Sequence, residues 1–263
     1  MRRWLITGIS SGIGAALAKA ALARGDHVVG TARTEEARAA FEAGGAGRAT
    51  GIVADMSDPA QVAALADRAL AAGPVDIVVN NAGQSLFGAA EEVDLDDARN
   101  LFEVNFFGPW ALTQALLPHF RSRGSGTIVQ LSSGCGLNGT PGLSAYCASK
   151  FALEGLTETL ALEVAAFGIR AMLVEPGAIA TRFISHGTQE AHVRIPDYDF
   201  LSGQGKAVLD GYYATAASPP EFVADAILTA LDGETLPLRL PVGDDMRGAL
   251  AHKASAFAAL ADG

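Results

Sequence analysis

The sequence predicts an α/β protein, a doubly wound parallel sheet of about seven strands with helices on both faces. Three observations support this. Short apolar runs alternate with longer stretches of helical period, the pattern of a parallel sheet covered on both sides. One run, Val75 to Val79, is continuously apolar, as a strand buried on both faces requires. The 263 residues are 49% hydrophobic and only 18% charged, so the chain can bury a large core and is no disordered polymer.

Taken in order, the first strand spans Trp4 to Thr7 and the Ala- and Leu-rich first helix Ile13 to Arg24. His27 to Thr31 is the second strand, with a helix at Glu35 to Glu42. Gly51 to Ala54 is the third, followed by a helix from Pro59 to Ala71. After the fourth strand, Val75 to Val79, a long helix covers Leu95 to Arg121. Thr127 to Leu131 is the fifth strand, Ala145 to Phe167 the next helix and Ile169 to Val174 the sixth strand. Periodicity then fades: residues 178 to 218 hold glycines, three tyrosines and two histidines. This is read as an irregular insertion over the sheet edge. A helix at Glu221 to Leu231, a strand at Leu236 to Leu240 and a helix at Asp244 to Leu260 complete one domain over residues 1 to 263. Right-handed crossovers connect such units, and the strand order expected is 3-2-1-4-5-6-7.

Nineteen Lys and Arg against 29 Asp and Glu give a formal net charge of −10. That balance attracts neither a phosphate backbone nor an anionic lipid surface, so nucleic acid and membrane are not expected partners. No stretch approaches the ~18 consecutive apolar residues of a membrane span. The N-terminal arginines lead straight into a glycine motif, so no cleaved signal peptide is expected. Cys135 and Cys147, the two cysteines, have no metal or disulfide spacing, and a reducing, cytoplasmic setting is the simplest reading.

The glycine motif is Thr7-Gly8-Ile9-Ser10-Ser11-Gly12-Ile13-Gly14, between the first strand and the first helix. Gly8 permits a sharp turn, and missing side chains let a pyrophosphate approach N–H groups at the helix N-terminus. A purely structural turn is the alternative, and the strand–turn–helix context favours the nucleotide site. After the second strand comes Thr31-Ala32-Arg33, with no acid to bond ribose hydroxyls. Arg33, if not simply a solvated surface cation, can clamp a 2′-phosphate bidentately. The expectation is NADP(H) in preference to NAD(H).

Tyr146 and Lys150 stand four apart in a helix and project from one face. An ammonium near a phenol favours the phenolate, which equips Tyr146 for proton exchange with a carbonyl or alcohol. Ser133 closes a buried strand at the end where ligands bind; it either orients a substrate oxygen or is a turn serine. Asn105 lies four residues before Pro109. Proline has no N–H to return to the Asn105 carbonyl, which is either a water-holding group in a proton path or part of a plain proline kink.

These residues, with Asn80-Asn81-Ala82-Gly83 and Pro176-Gly177, resemble the short-chain dehydrogenase/reductase family in order and spacing over roughly residues 3 to 181. Within it, the stretch from Tyr146 to Gly155 and Glu175-Pro176-Gly177 look like the branch of 17β-hydroxysteroid and retinol dehydrogenases. The resemblance implies a Rossmann-type fold and a catalytic set of Asn105, Ser133, Tyr146 and Lys150. It implies Tyr146 as general acid/base, Lys150 lowering its pKa and bonding the nicotinamide ribose, Ser133 on the substrate oxygen and Asn105 holding a relay water through its carbonyl. It puts Gly8, Ser10, Ser11, Gly12, Ile13 and Gly14 on the cofactor, with Arg33. Asp55, with Met56 beside it, would contact adenine, and Asn81, Ala82 and Gly83 the adenosine side. Pro176, Gly177, Ile179 and Thr181 would sit at the nicotinamide end. Family members commonly associate through two long helices, so a homodimer or homotetramer is expected, with Phe106, Phe107 and Trp110 serving either interface or core.

The implied reaction moves hydride between NADPH and a ketone or aldehyde. Phe183, Tyr198, Phe200, Leu201, Tyr212 and Tyr213 in the insertion suggest a bulky hydrophobic substrate, unless they only pack the insertion down. His186 and His192 fit no common zinc spacing, and no metal is expected. Two alternatives share the fold: a redox-neutral epimerase or dehydratase, and a non-catalytic NADP-sensing protein.

Overall fold

The structure is a computed structural model and describes residues 1–181, 183 and 187–261; His186 lies outside the described residues. Seven parallel strands form the main sheet: β1 (Arg3–Ile6), β2 (His27–Ala32), β3 (Ala49–Val53), β4 (Ile77–Asn80), β6 (Gly126–Leu131), β7 (Ile169–Pro176) and β9 (Arg239–Val242). Their spatial order is β3-β2-β1-β4-β6-β7-β9. Counted among these seven alone, this is the expected 3-2-1-4-5-6-7.

Strand alternation sorts the core into two layers. Trp4, Ile6, Val79, Val129, Met172 and Val174 face one side of the sheet. There they meet Leu17 and Ala21 of α1 (Gly12–Ala23) and Val223, Ile227 and Leu231 of a late helix, Pro220–Asp232. Leu5, Val29, Val78, Ile128 and Ala171 face the other. They pack on α3 (Pro59–Ala71), on a helix at Gly108–Arg123 and on one at Ser144–Val164. Local signals set the helix starts. Thr34 caps α2 (Glu35–Gly44) by accepting from the Ala37 N–H at 3.2 Å. Asp58 caps α3 by accepting from the N–H groups of Ala60 and Gln61, with Pro59 opening the helix.

The long helix expected over Leu95 to Arg121 is three pieces. α4 (Leu95–Phe102) passes into a π turn at Glu103–Phe107 and then α5 (Gly108–Arg123). The Gly108 N–H reaches back five residues to the Glu103 carbonyl. The break falls directly before Pro109, which cannot continue an α-helical ladder. α6 spans Ser144–Val164.

The insertion is more ordered than the sequence suggests. Its β8 (Thr188–Glu190) pairs in parallel with β5 (Ser85–Phe87) as a separate two-stranded sheet. A π turn at Phe200–Gly205 leads into α7 (Lys206–Ala216). The ends of the insertion are tied together, with Ala180 N–H donating to the Ser218 carbonyl at 2.8 Å and Ser218 N–H to the Ala178 carbonyl at 2.9 Å. α8 (Pro220–Asp232) and α9 (Asp244–Ala261) close the chain. Among the described residues, no helix is long and apolar enough to cross a membrane.

Candidate active site

A cleft of about 730 Å³ opens at the C-terminal ends of β1, β2, β4, β6 and β7, where strand order reverses and ligands bind in such sheets. Its wall contains Gly8, Ser10, Ser11, Gly12, Ile13, Arg33, Asp55, Met56, Asn81, Ala82 and Gly83. Ser133, Tyr146, Lys150, Pro176, Gly177, Ile179 and Thr181 complete the sequence-predicted part of it. Gly14 and Asn105 stand behind the wall. Residues not singled out from the sequence also line it, among them Gln84, Ser85, Thr188 and Gln189. No motif marked these, because the fold alone brings them there.

The glycine turn fits a pyrophosphate. Gly8 has φ +74°, where a Cβ is strained. A Cβ on Gly14 would lie 2.3 Å from the Gly8 carbonyl oxygen and 2.4 Å from the Asn81 amide. The Asn81 amide donates to the Thr7 and Gly8 carbonyls at 2.8 and 3.1 Å, so Asn81 braces the turn. Unlike α2 and α3, α1 has no side-chain cap, which leaves its first N–H groups to an anion. Arg33 is exposed at this end of the cleft. The Asp55 Oδ1 accepts from the Ser57 N–H and hydroxyl at 2.9 and 2.8 Å.

Helical spacing puts Tyr146 and Lys150 on the buried side of α6. The Lys150 ammonium lies 5.8 Å from the Tyr146 ring centre and donates to the Leu131 carbonyl at 2.8 Å. Burial pulls the Lys150 pKa down to about 8, against the pull of Glu154. The Tyr146 phenol is not lowered as expected from the Lys150 spacing. Burial first, then Cys135, push it well above the ordinary tyrosine value, and a hydrogen bond with Ser133 only partly opposes them. At neutral pH Tyr146 is therefore a protonated donor. The Ser133 Oγ accepts from the Cys135 N–H at 3.2 Å, which leaves its own O–H to donate elsewhere.

Asn105, fully buried in the π turn, has its side chain fully engaged in hydrogen bonds. Its amide donates to the Gln84 carbonyl at 2.9 Å and to Ser149 Oγ at 3.1 Å. Its Oδ1 accepts from the Gln84 N–H at 3.0 Å. It thereby pins the segment after Gly83 to α6.

Behind Lys150 lies a charged cluster that the motifs do not mark. Arg239 bonds Glu154 at 2.5 Å, Glu158 at 2.6 Å and also Glu175. Burial raises Glu154 to about 7 and raises Glu175 as well, with Arg239 opposing both.

Of the six aromatic and apolar residues expected over the substrate, Phe183 and Tyr213 line the cleft, and Phe183 packs 5.8 Å from Tyr146. The other four do not reach it. The Tyr198 hydroxyl donates to Glu91 at 3.1 Å, that of Tyr212 to Asp245 at 2.7 Å, and Phe200 is 66% exposed. These groups hold the insertion to the body or face outward.

Comparison with known proteins agrees with this geometry. The profile of the family described as short chain dehydrogenase matches residues 2–191. Human retinol dehydrogenase 8 is 36% identical over 90% of this chain and 80% of its own. Human 17-beta-hydroxysteroid dehydrogenase type 1 is 38% identical over 70% of this chain and 57% of its own. The crystal structure of a short-chain dehydrogenase from Streptomyces avermitilis superposes with TM-score 0.91, at 43% identity over 99% of this chain and 95% of that one. An NAD(P)-dependent protein from Beutenbergia cavernae, described as a putative gluconate 5-dehydrogenase, carries bound NADP. It is 29% identical over 92% of this chain and 95% of its own, with TM-score 0.74. A family member from Burkholderia phymatum carries NAD, at 26% identity over 91% of this chain and 88% of its own, with TM-score 0.80. By profile, by sequence and by fold, the chain belongs to the short-chain dehydrogenase/reductase family of oxidoreductases.

Proposed function

We propose that this protein reduces a ketone or aldehyde to the alcohol with NADPH, with Tyr146 as the general acid. The observation that carries the reading is a buried Tyr146 in the same cleft as Ser133, Lys150 and an uncapped glycine-turn helix. When bound, a reduced nicotinamide supplies the hydride. Tyr146 gives its phenolic proton to the substrate oxygen, and Ser133 donates to the same oxygen and fixes its direction. Lys150, held by the Leu131 carbonyl, places a positive charge beside the phenol and favours the phenolate left after transfer. Asn105 positions Gln84 and the loop after Gly83. Pro176, Gly177, Ile179 and Thr181 form the floor at the nicotinamide end, and the glycine turn holds the pyrophosphate.

Arg33 supports NADP(H) over NAD(H), since an exposed guanidinium with no acid beside it on β2 suits a 2′-phosphate. Residues 178 to 218 cover the substrate, and Phe183 against Tyr146 favours a hydrophobic carbonyl compound. A homodimer or homotetramer is the working assembly. Its contact surface is the apolar face of the π turn, α5 and α6, where Phe107, Trp110 and Phe151 are exposed.

The test follows NADPH oxidation with a panel of carbonyl compounds. Bulky apolar ketones should be turned over. Tyr146→Phe should bind NADPH as the wild type does and lose about 10²–10⁴-fold in turnover. A Tyr146→Phe variant with full activity, or product formed without net loss of NADPH, would overturn the reading.

A further inference from the structure

Cys135 and Cys147 are separated in sequence, yet the fold sets both sulfurs against one residue. Cys135 sits in the 3₁₀ turn Gly134–Gly136, and Cys147 at the N-terminal end of α6, directly after Tyr146. The Cys135 Sγ is 3.5 Å from the Thr140 Oγ1, and the Thr140 N–H donates to the Cys147 Sγ at 3.4 Å. The Cys147 thiol donates to the Asn138 carbonyl at 3.7 Å. Both are free cysteines of one apolar cluster, Cys147 buried and Cys135 half-buried. They are the only two in the chain, so a single intrachain pairing exists.

We propose that Cys135 and Cys147 form an oxidisable dithiol, a modification site that takes a hydroperoxide as oxidant and closes into an intrachain disulfide. Cys147 is the attacking sulfur. The Cys135 thiol first, then the Thr140 N–H, pull its pKa below the ordinary thiol value against the effect of burial, while Cys135 is pushed up. The adjacent helix N-terminus acts in the same direction.

The Cys147 thiolate attacks one peroxide oxygen. The O–O bond breaks, the departing oxygen keeps the electron pair and takes up a proton, and a sulfenic acid remains on Cys147. The Cys135 sulfur then displaces the hydroxyl group. An S–S bond forms, an S–O bond breaks, and the hydroxyl leaves as water with the Cys135 proton. Overall two thiols lose two electrons and two protons, and one hydroperoxide becomes an alcohol and water. The bridge would join the turn after Ser133 to the helix that carries Tyr146.

The test treats the reduced full-length protein with excess hydrogen peroxide at neutral pH. It is then quenched with N-ethylmaleimide and weighed intact under denaturing conditions. Before oxidation two maleimide adducts are expected. After oxidation the expected species has none, is lighter by two hydrogens, and runs as a single chain on a non-reducing gel. Dithiothreitol should restore both adducts. Cys135→Ser should stop at a sulfenic acid that dimedone traps on residue 147, and Cys147→Ser should keep its remaining thiol. Two adducts surviving peroxide, disulfides only between chains, or trapping on residue 135 in Cys147→Ser would overturn the proposal. The wild-type mass measurement stands without either variant and requires no enzymatic turnover.

Discussion

Tyr146, Lys150 and Glu154 occupy successive turns of α6, and each has its protonation set by burial and by its neighbours. Lys150 carries its charge below about pH 8. The rate of NADPH-dependent reduction should therefore fall as pH rises through 8, and a kcat/KM profile from pH 6 to about 10 checks this. Glu154 acts on stability instead of rate. Its pKa in the folded chain is raised from the ordinary 4.5 to about 7. Between those values the folded chain keeps a proton that the unfolded chain has released, so Glu154 makes stability fall as pH climbs from 4.5 to 7. Glu154→Gln should flatten that descent, as read from urea midpoints at pH 5 and 7.5. Arg33→Ala should weaken NADPH binding about tenfold or more and leave NADH unchanged, because the lost contact is a charge-assisted hydrogen bond; paired titrations read it directly. The Tyr146–Lys150 pairing was legible in the sequence because four residues make one helical turn. The Arg239 cluster was not, because its partners Glu154 and Glu175 lie 85 and 64 positions away and only the sheet brings them together. For the same reason the lowering expected of Tyr146 from Lys150 was overtaken by burial, which spacing does not report.

The elements divide along the same line. Strands β1 to β4 and the helices between them follow from runs of apolar residues and from Thr34, Asp58 and Pro59 as start signals, all local to the chain. β5 and β8 escaped notice because three-residue strands have too few positions for a period, and each forms only against the other. The π turn around Asn105 was foreshadowed by Pro109, but a sequence marks the site of a break and not its geometry. The insertion is held by a buried carboxylate. Glu92 Oε1 accepts from the Ile195 N–H at 3.0 Å and the Ser202 hydroxyl at 3.3 Å, and Oε2 from the Ala89 N–H at 2.9 Å. The Ile195 N–H is the main reason its pKa is lowered. Removing the charge weakens all three bonds. Glu92→Gln should speed amide exchange and proteolysis within residues 188 to 202 while NADPH affinity stays as in the wild type. Unchanged exchange there would show that the other contacts hold the segment alone.

The molecule is built on one main sheet between two apolar layers, and that architecture was legible because buried parallel strands write themselves as continuous apolar runs. Assembly was not, since an exposed aromatic face looks the same in sequence whether it meets solvent, core or a second copy. Phe107 at the end of the π turn and Trp110 on α5 lie 46% and 42% exposed, so the sharpest check is light scattering. A dimer or tetramer is expected, and Trp110→Glu should shift it towards monomer. The insertion carries a different consequence. Its two ends are stitched to each other at Ala178, Ala180 and Ser218, and it leaves and rejoins the scaffold at nearly one point. Such a stretch can be exchanged for that of a relative as one unit, with the sheet and Tyr146 and Lys150 on α6 left in place, so under the proposed function new ligand preferences can evolve by swapping a single contiguous stretch of gene.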